Sequence, residues 1–112
     1  MEGPGQAALL RIFIGENDVF ADTPLVDALI YKAQQMGLAG ATAIRGRIGY
    51  GGRRHPSPSH LVLSQDRPMV VEVVDTRDKI DAYVTAIDPM VPAGLITVET
   101  IEVVRYGTGQ SR

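Results

Sequence analysis

Apolar positions along this chain switch between a period of two and a period near that of a helix, and the switches mark out its elements. Leu10, Ile12 and Ile14 alternate with Leu9, Arg11 and Phe13, so residues Ala7 to Gly15 read as a strand with two distinct faces. Thr23-Pro24 offers an N-cap hydroxyl followed by proline at the first helical position. Leu25, Leu29, Ala33 and Met36 then recur at helical spacing, and Gly37 is a natural left-handed stop, which predicts a helix from Pro24 to Met36. Alternation returns from Gly40 to Tyr50, with Thr42, Ile44, Ile48 and Tyr50 on one side and Ala43, Arg45 and Arg47 on the other. From Gly51 the pattern dissolves into GGRRHPSPS, whose glycines and prolines exclude a central strand; His60 to Ser64 has the composition of a short one. Met69 to Val74 is a nearly continuous β-branched run, with Glu72 on the opposite face from Val71 and Val73. Thr76 opens a second helix, whose stripe Ile80, Tyr83, Val84 and Ile87 is amphipathic and which Asp88-Pro89 ends. Leu95 to Val104 is the last strand, with Ile96 and Val98 alternating with Thr97 and Glu99.

The order β-α-β-β-α-β predicts an α+β, ferredoxin-like fold: an antiparallel sheet with both helices on one face. The other face is expected to carry Leu9, Arg11, Phe13, Arg45, Val70, Glu72, Thr97 and Glu99. Aliphatic residues interleaved with opposite charges suit an assembly interface better than a fully solvated surface. The 112 residues support one domain, expected over 7–106, with a disordered N-terminal tail over 1–6, a flexible loop over 49–60 and a loose C-terminal tail over 107–112.

Composition changes this picture at two points. The net charge of -2 gives no global field that would draw the chain to nucleic acid or an anionic membrane. Between Arg45 and Arg67, however, five arginines and two histidines face a single acid, Asp66, whereas the stretch from Glu72 to Glu102 is acidic. The absence of cysteine excludes disulfides, thiolate metal sites and a cysteine nucleophile. The N-terminus has no basic region followed by an apolar run, and no apolar stretch approaches the ~18 residues that span a bilayer. A cytoplasmic protein is the expectation.

The chemistry concentrates after strand two. Glycines at 46, 49, 51 and 52 allow close backbone approach, and Arg45, Arg47, Arg53 and Arg54 offer planar donors suited to phosphate. Arg105 could join them across a subunit boundary. The alternative is that Arg45 and Arg47 pair with Glu72 and Glu99 at an interface while Arg53 and Arg54 are solvated. Neither a Walker-type nor a dinucleotide-binding glycine fingerprint is present. His55 and His60 straddle two prolines without a nearby acidic ligand, so they read as exposed loop residues and no metal site is expected. No nucleophile elbow or positioned acid/base pair marks an enzyme, and Asp75, Asp78 and Asp81 suit the first turn of a helix. Arg53-Arg54-His55 lacks the aromatic platforms of a nucleic-acid site, and no nucleic-acid partner is expected. Tyr50 could be core, pack at the loop base or stack on a base.

GLAGATAIRGRIGYG after an amphipathic helix, then RPMVVEVVDTRDKIDAYV, then GLITVETIEVVRY, resembles the PII-like family known as domain of unknown function 190 (DUF190), from about Leu9 to Tyr106. Gly40-Ala41-Thr42, Arg45-Gly46 and Gly94-Leu95 carry most of the likeness. The resemblance implies kinship with nitrogen-regulatory PII proteins and CutA, which are ferredoxin-like trimers. It implies small ligands, typically adenine nucleotides, in clefts between subunits. It also implies a loop after strand two that contacts a target, often a membrane transporter. Gly49-Tyr50-Gly51 sits where PII proteins carry a loop-base Gly-Phe-Gly. This loop is shorter and Pro/Ser-rich and has no counterpart of the modifiable tyrosine. Met90 to Gly94 lacks the lysine and glycine pattern that grips phosphate in true PII proteins.

The resulting expectation is a non-enzymatic, cofactor-free homotrimer that binds a small anionic metabolite or nucleotide. Its ligand set would be Arg45, Gly46, Arg47, Gly49, Tyr50, Gly51, Gly94 and Arg105. Arg53, Arg54 and His55 would meet a partner protein, plausibly a transporter. The competing expectation is a CutA-like metal-responsive or purely structural trimer, in which His55 and His60 matter and the arginines do not. A small ferredoxin-fold enzyme is a third reading.

Overall fold

The aliphatic stripe Leu10, Ile12 and Ile14 lies in β1 (Gly5–Gly15), which runs through the interior of a four-stranded antiparallel sheet. The computed structural model describes residue 1, residues 3–47, residues 67–107 and residue 109. β4 (Gly40–Arg45), β5 (Pro68–Asp75) and β6 (Leu95–Val103) complete the sheet, in the spatial order β4-β5-β1-β6. Helices α1 (Leu25–Gln35) and α2 (Arg77–Ile87) pack on one face. A short hairpin of β2 (Val19–Phe20) and β3 (Thr23–Pro24) separates β1 from α1, and a 3-10 turn, Asp88–Met90, follows α2. This is the expected ferredoxin-like α+β arrangement.

Register assigns the faces, because directly opposed residues of an antiparallel ladder project to the same side. Leu10 lies between Val73 and Val98, and Ile12 between Val71 and Ile96. These rows meet Leu25, Leu29 and Ala33 of α1 and Ile80, Tyr83 and Ile87 of α2 in one buried cluster. The Tyr83 hydroxyl crosses between the helices and donates to the Leu29 carbonyl at 2.7 Å.

On the open face, Arg11 lies between Glu72 and Thr97, and Phe13 between Val70 and Leu95. Arg11 donates to Glu72 at 3.0 Å and reaches Glu99 at 2.5 Å. Hydrogen bonds to Glu72, then to Glu99, hold the guanidinium above its ordinary pKa. One expectation is corrected here. Arg45 opposes Met69, a core residue, so it belongs to the helix-side face, and Thr42 and Ile44 take the open face opposite Glu72 and Val70. Within the chain, the carboxylates of Glu72 and Glu99 engage Arg11.

The helix ends also depart from the simple reading. Thr23 pairs with Phe20 in the hairpin, so Pro24 becomes the N-cap and the Leu25 N–H is donated to the Asp18 carbonyl at 2.8 Å. At the other end Gly37, with φ +72, closes α1 as expected, and Leu38 N–H returns to the Ala33 carbonyl at 3.0 Å in a Schellman arrangement. Lys79 of α2 donates to the Gly37 carbonyl at 2.7 Å. Asp75, fully buried at the end of β5, accepts the Ala39 N–H at 2.8 Å and the Thr76 N–H at 2.6 Å. That carboxylate ties the exit of α1 to the entry of α2.

Candidate functional site

Topology gathers the chemistry at one end of the sheet. β1 and β4 finish there and β5 and β6 begin there, since Gly15 opposes Pro68, Arg45 opposes Met69 and Phe13 opposes Leu95. The two legs of the β4–β5 connection leave from this end. Gly46 N–H is donated to the Pro68 carbonyl at 2.7 Å, which extends the β4–β5 ladder past Arg45. Continuing that register by two residues sets Arg47 against Arg67. The neighbouring leg is fixed by Glu16 N–H, which is donated to the Arg67 carbonyl at 2.7 Å.

Glu16 itself stands at the end of β1, where Asp18 shapes the turn by accepting the Gly15 N–H at 2.9 Å. Its carboxylate meets Arg45 Nη2 at 2.5 Å. Arg45 remains 59% exposed and Glu16 26% exposed, so the pair sits at the solvent boundary. Arg47 and Arg67 are exposed. Arg45, Arg47 and Arg67 therefore lie at one end of the sheet, where Glu16 is paired with Arg45.

The two described glycines of the expected ligand set have structural reasons of their own. A side chain at Gly46 would place Cβ 2.8 Å from Pro68 Cγ, so the missing side chain lets the two legs close. At Gly94, φ is +147 and a Cβ would fall 2.8 Å from the Phe13 carbonyl oxygen; glycine lets β6 start hard against β1. Both glycines lie at the arginine-bearing end. Arg105 follows the far end of β6, near where Gly5 opposes Val103, so within one subunit it stands at the opposite end of the sheet from Arg45. Gly49, Tyr50, Gly51, Arg53, Arg54, His55 and His60 lie outside the described residues. Glu16 and Arg67 were not in the expected ligand set. The Arg67-Pro68 step before a β-branched run was the available signal for Arg67; nothing local pointed to Glu16.

Among the described residues, no group of three or more His, Asp or Glu side chains could hold a metal ion, and no helix is long and apolar enough to cross a membrane.

Comparison with known proteins agrees with this architecture. A UPF0166 protein of Aquifex aeolicus is 37% identical over 97 residues, covering 86% of this chain and 91% of that one. A UPF0166 protein of Methanocaldococcus jannaschii is 29% identical over 76 residues, covering 68% of this chain and 70% of that one. Among solved structures, CPII of Thiomonas intermedia K12, a nitrogen regulatory PII-like protein bound to ADP, AMP and bicarbonate, superposes with a TM-score of 0.68 at 15% identity, covering 91% of this chain and 92% of that one. A PII-like chain of Thermus thermophilus gives a TM-score of 0.62 at 16% identity, covering 90% of this chain and 92% of that one. Those likenesses speak to the fold, which is that of PII-like proteins. The sequence profile of the DUF190 family, "Uncharacterized ACR", matches residues 7–103, and the chain belongs to that family.

Proposed function

We propose that this protein is a cytoplasmic, non-enzymatic PII-like regulator. It forms a homotrimer, binds an adenine nucleotide or related small anion at the arginine-bearing end of the sheet, and signals occupancy to a partner protein through the β4–β5 connection. A membrane transporter is the favoured partner. The observation that carries the reading is the convergence of Arg45, Arg47 and Arg67 on the two legs of that connection. Guanidinium forks bind phosphate bidentately, and the backbones of Arg45 and Arg67 are held by strand pairing and by the Glu16–Arg67 bond. Structures of the similarly folded CPII contain ADP, AMP and bicarbonate, which supports an anionic nucleotide as ligand class. The open face supports self-association: Phe13, Ile44 and Leu95 are exposed apolar residues around the Arg11 carboxylate pair.

Isothermal titration with ATP, ADP, AMP and cyclic nucleotides tests the reading on protein whose trimeric mass is confirmed by sedimentation equilibrium. Loss of one charge-assisted phosphate contact costs roughly 1.5–3 kcal/mol, so Arg67→Gln should weaken binding about ten- to a hundredfold. Absence of heat at millimolar nucleotide with a confirmed trimer refutes nucleotide binding. A monomeric mass removes the intersubunit cleft altogether.

A further inference from the structure

We propose that Glu16 is a resident anion that occupies Arg45 until a ligand displaces it, and so sets the threshold of the site. The inference rests on the functional reading above in taking Arg45 to be an anion ligand. Its evidence is separate, because it concerns a contact within the chain.

The Glu16 main chain is not free to wander. Its N–H is bonded to the Arg67 carbonyl, and the preceding Gly15 is locked to Asp18 by reciprocal bonds, with Gly15 N–H on the Asp18 carboxylate and Asp18 N–H on the Gly15 carbonyl at 3.2 Å. Arg45 is equally placed, since its backbone opposes Met69 and the next residue is bonded to Pro68. Two fixed backbones thus present a carboxylate to a guanidinium at 2.5 Å. The contact is well formed but still open to solvent. Pairs of that kind are weak, shifting an equilibrium by a few-fold only. A phosphate carries more charge than a carboxylate and matches the fork of arginine as well or better, so it can take the same partner. Displacement releases the Glu16 carboxylate to solvent, while its main chain stays bonded to Arg67. Glu16 therefore acts as a competitor: it keeps Arg45 satisfied in the empty site and discriminates against anions too weak to replace it.

The test compares wild type with Glu16→Gln. ADP and inorganic pyrophosphate are titrated calorimetrically, and Arg45 and Arg47 are followed by phenylglyoxal labelling with peptide mass spectrometry. Removing the competitor should tighten both anions roughly two- to fivefold. It should also speed labelling of Arg45 while leaving Arg47 unchanged, and pyrophosphate should protect Arg45 at lower concentration in the variant. Unchanged affinity with unchanged Arg45 labelling overturns the inference. So does equal acceleration at Arg45 and Arg47, which would mark a diffuse charge effect. Binding of ADP equally to both proteins also overturns it, while leaving the nucleotide reading intact. Conversely, if neither protein binds ADP but pyrophosphate protects Arg45 earlier in Glu16→Gln, the competitor role stands and the nucleotide reading falls. Failure of any anion to protect Arg45 in either protein sinks the competitor.

Discussion

Tyr83→Phe should lower stability at neutral pH and raise it, relative to wild type, in strong alkali. The phenol is fully buried between the helices and donates to the Leu29 carbonyl at 2.7 Å. Removing the hydroxyl deletes that bond and leaves the carbonyl its helical partner, so the cost at pH 7 is about 1 kcal/mol. Burial pushes the phenol well above its ordinary value of 10.0. The sign follows from linkage. With a raised native pKa, the contribution of Tyr83 is fully present below the unfolded pKa and is lost as pH climbs from there toward the native one, because only the unfolded chain releases the proton. Relative to Tyr83→Phe, wild type should then lose roughly 1.4 kcal/mol per pH unit above the unfolded pKa. At pH 11 the loss amounts to about 1.4 kcal/mol, which exceeds the hydrogen bond, so the two stability curves should cross slightly below pH 11. Urea denaturation followed by circular dichroism from pH 7 to 11 reads this directly. Curves for wild type and Tyr83→Phe that run parallel over that range would refute a buried, bonded phenol.

Other expectations follow from single contacts. Gly94→Ala forces a Cβ to 2.8 Å from the Phe13 carbonyl oxygen at φ +147 and should cost about 2–3 kcal/mol, read as a lower thermal midpoint. Asp75→Ala strands the Ala39 and Thr76 N–H groups and should cost about 2–4 kcal/mol in the same assay, with Asp75→Asn milder because it keeps one acceptor. The β2–β3 turn holds Ala21 at φ 50 and Asp22 at φ 65, so Ala21→Asn with Asp22→Gly should stabilise by about 1 kcal/mol; a neutral or destabilising result contradicts the turn geometry.

The sheet core was legible because Leu10, Ile12 and Ile14 recur at every second position of β1, charges at Arg11 and Glu72 mark the opposite phase, and only one phase puts Leu10, Ile12, Val71 and Val73 together. β4 was not legible in the same way. Its sequence GATAIR has small or mixed residues on both sides, and as an edge strand it buries little, so the hydrophobic pattern barely separates the two phases. Cross-strand register decided the matter and moved Arg45 to the helix side. The Ala-Asp turn of the small hairpin lacks the Asn-Gly signal, and so Thr23-Pro24 looked like a helix start. At the site, charge clustering and position singled out Arg45 and Arg47. Glu16 escaped because its partner is distant in sequence and is reached only through the long-range pairing of β1 with β5. Glycine content advertised backbone freedom at 46 and 94, but only the fold shows that the near neighbours are Pro68 and Phe13.

The bonds from Gly46 to Pro68 and from Glu16 to Arg67 act as a collar around the base of the β4–β5 connection. Whatever length of chain is inserted between residues 47 and 67, the domain meets it at two pinned points. For a flexible insert, each doubling of length adds only about 0.6 kcal/mol of closure entropy. The pairing at the base is therefore set by those two bonds rather than by the length of chain between them. An insertion between residues 47 and 67 should thus leave the arginine-bearing rim as built.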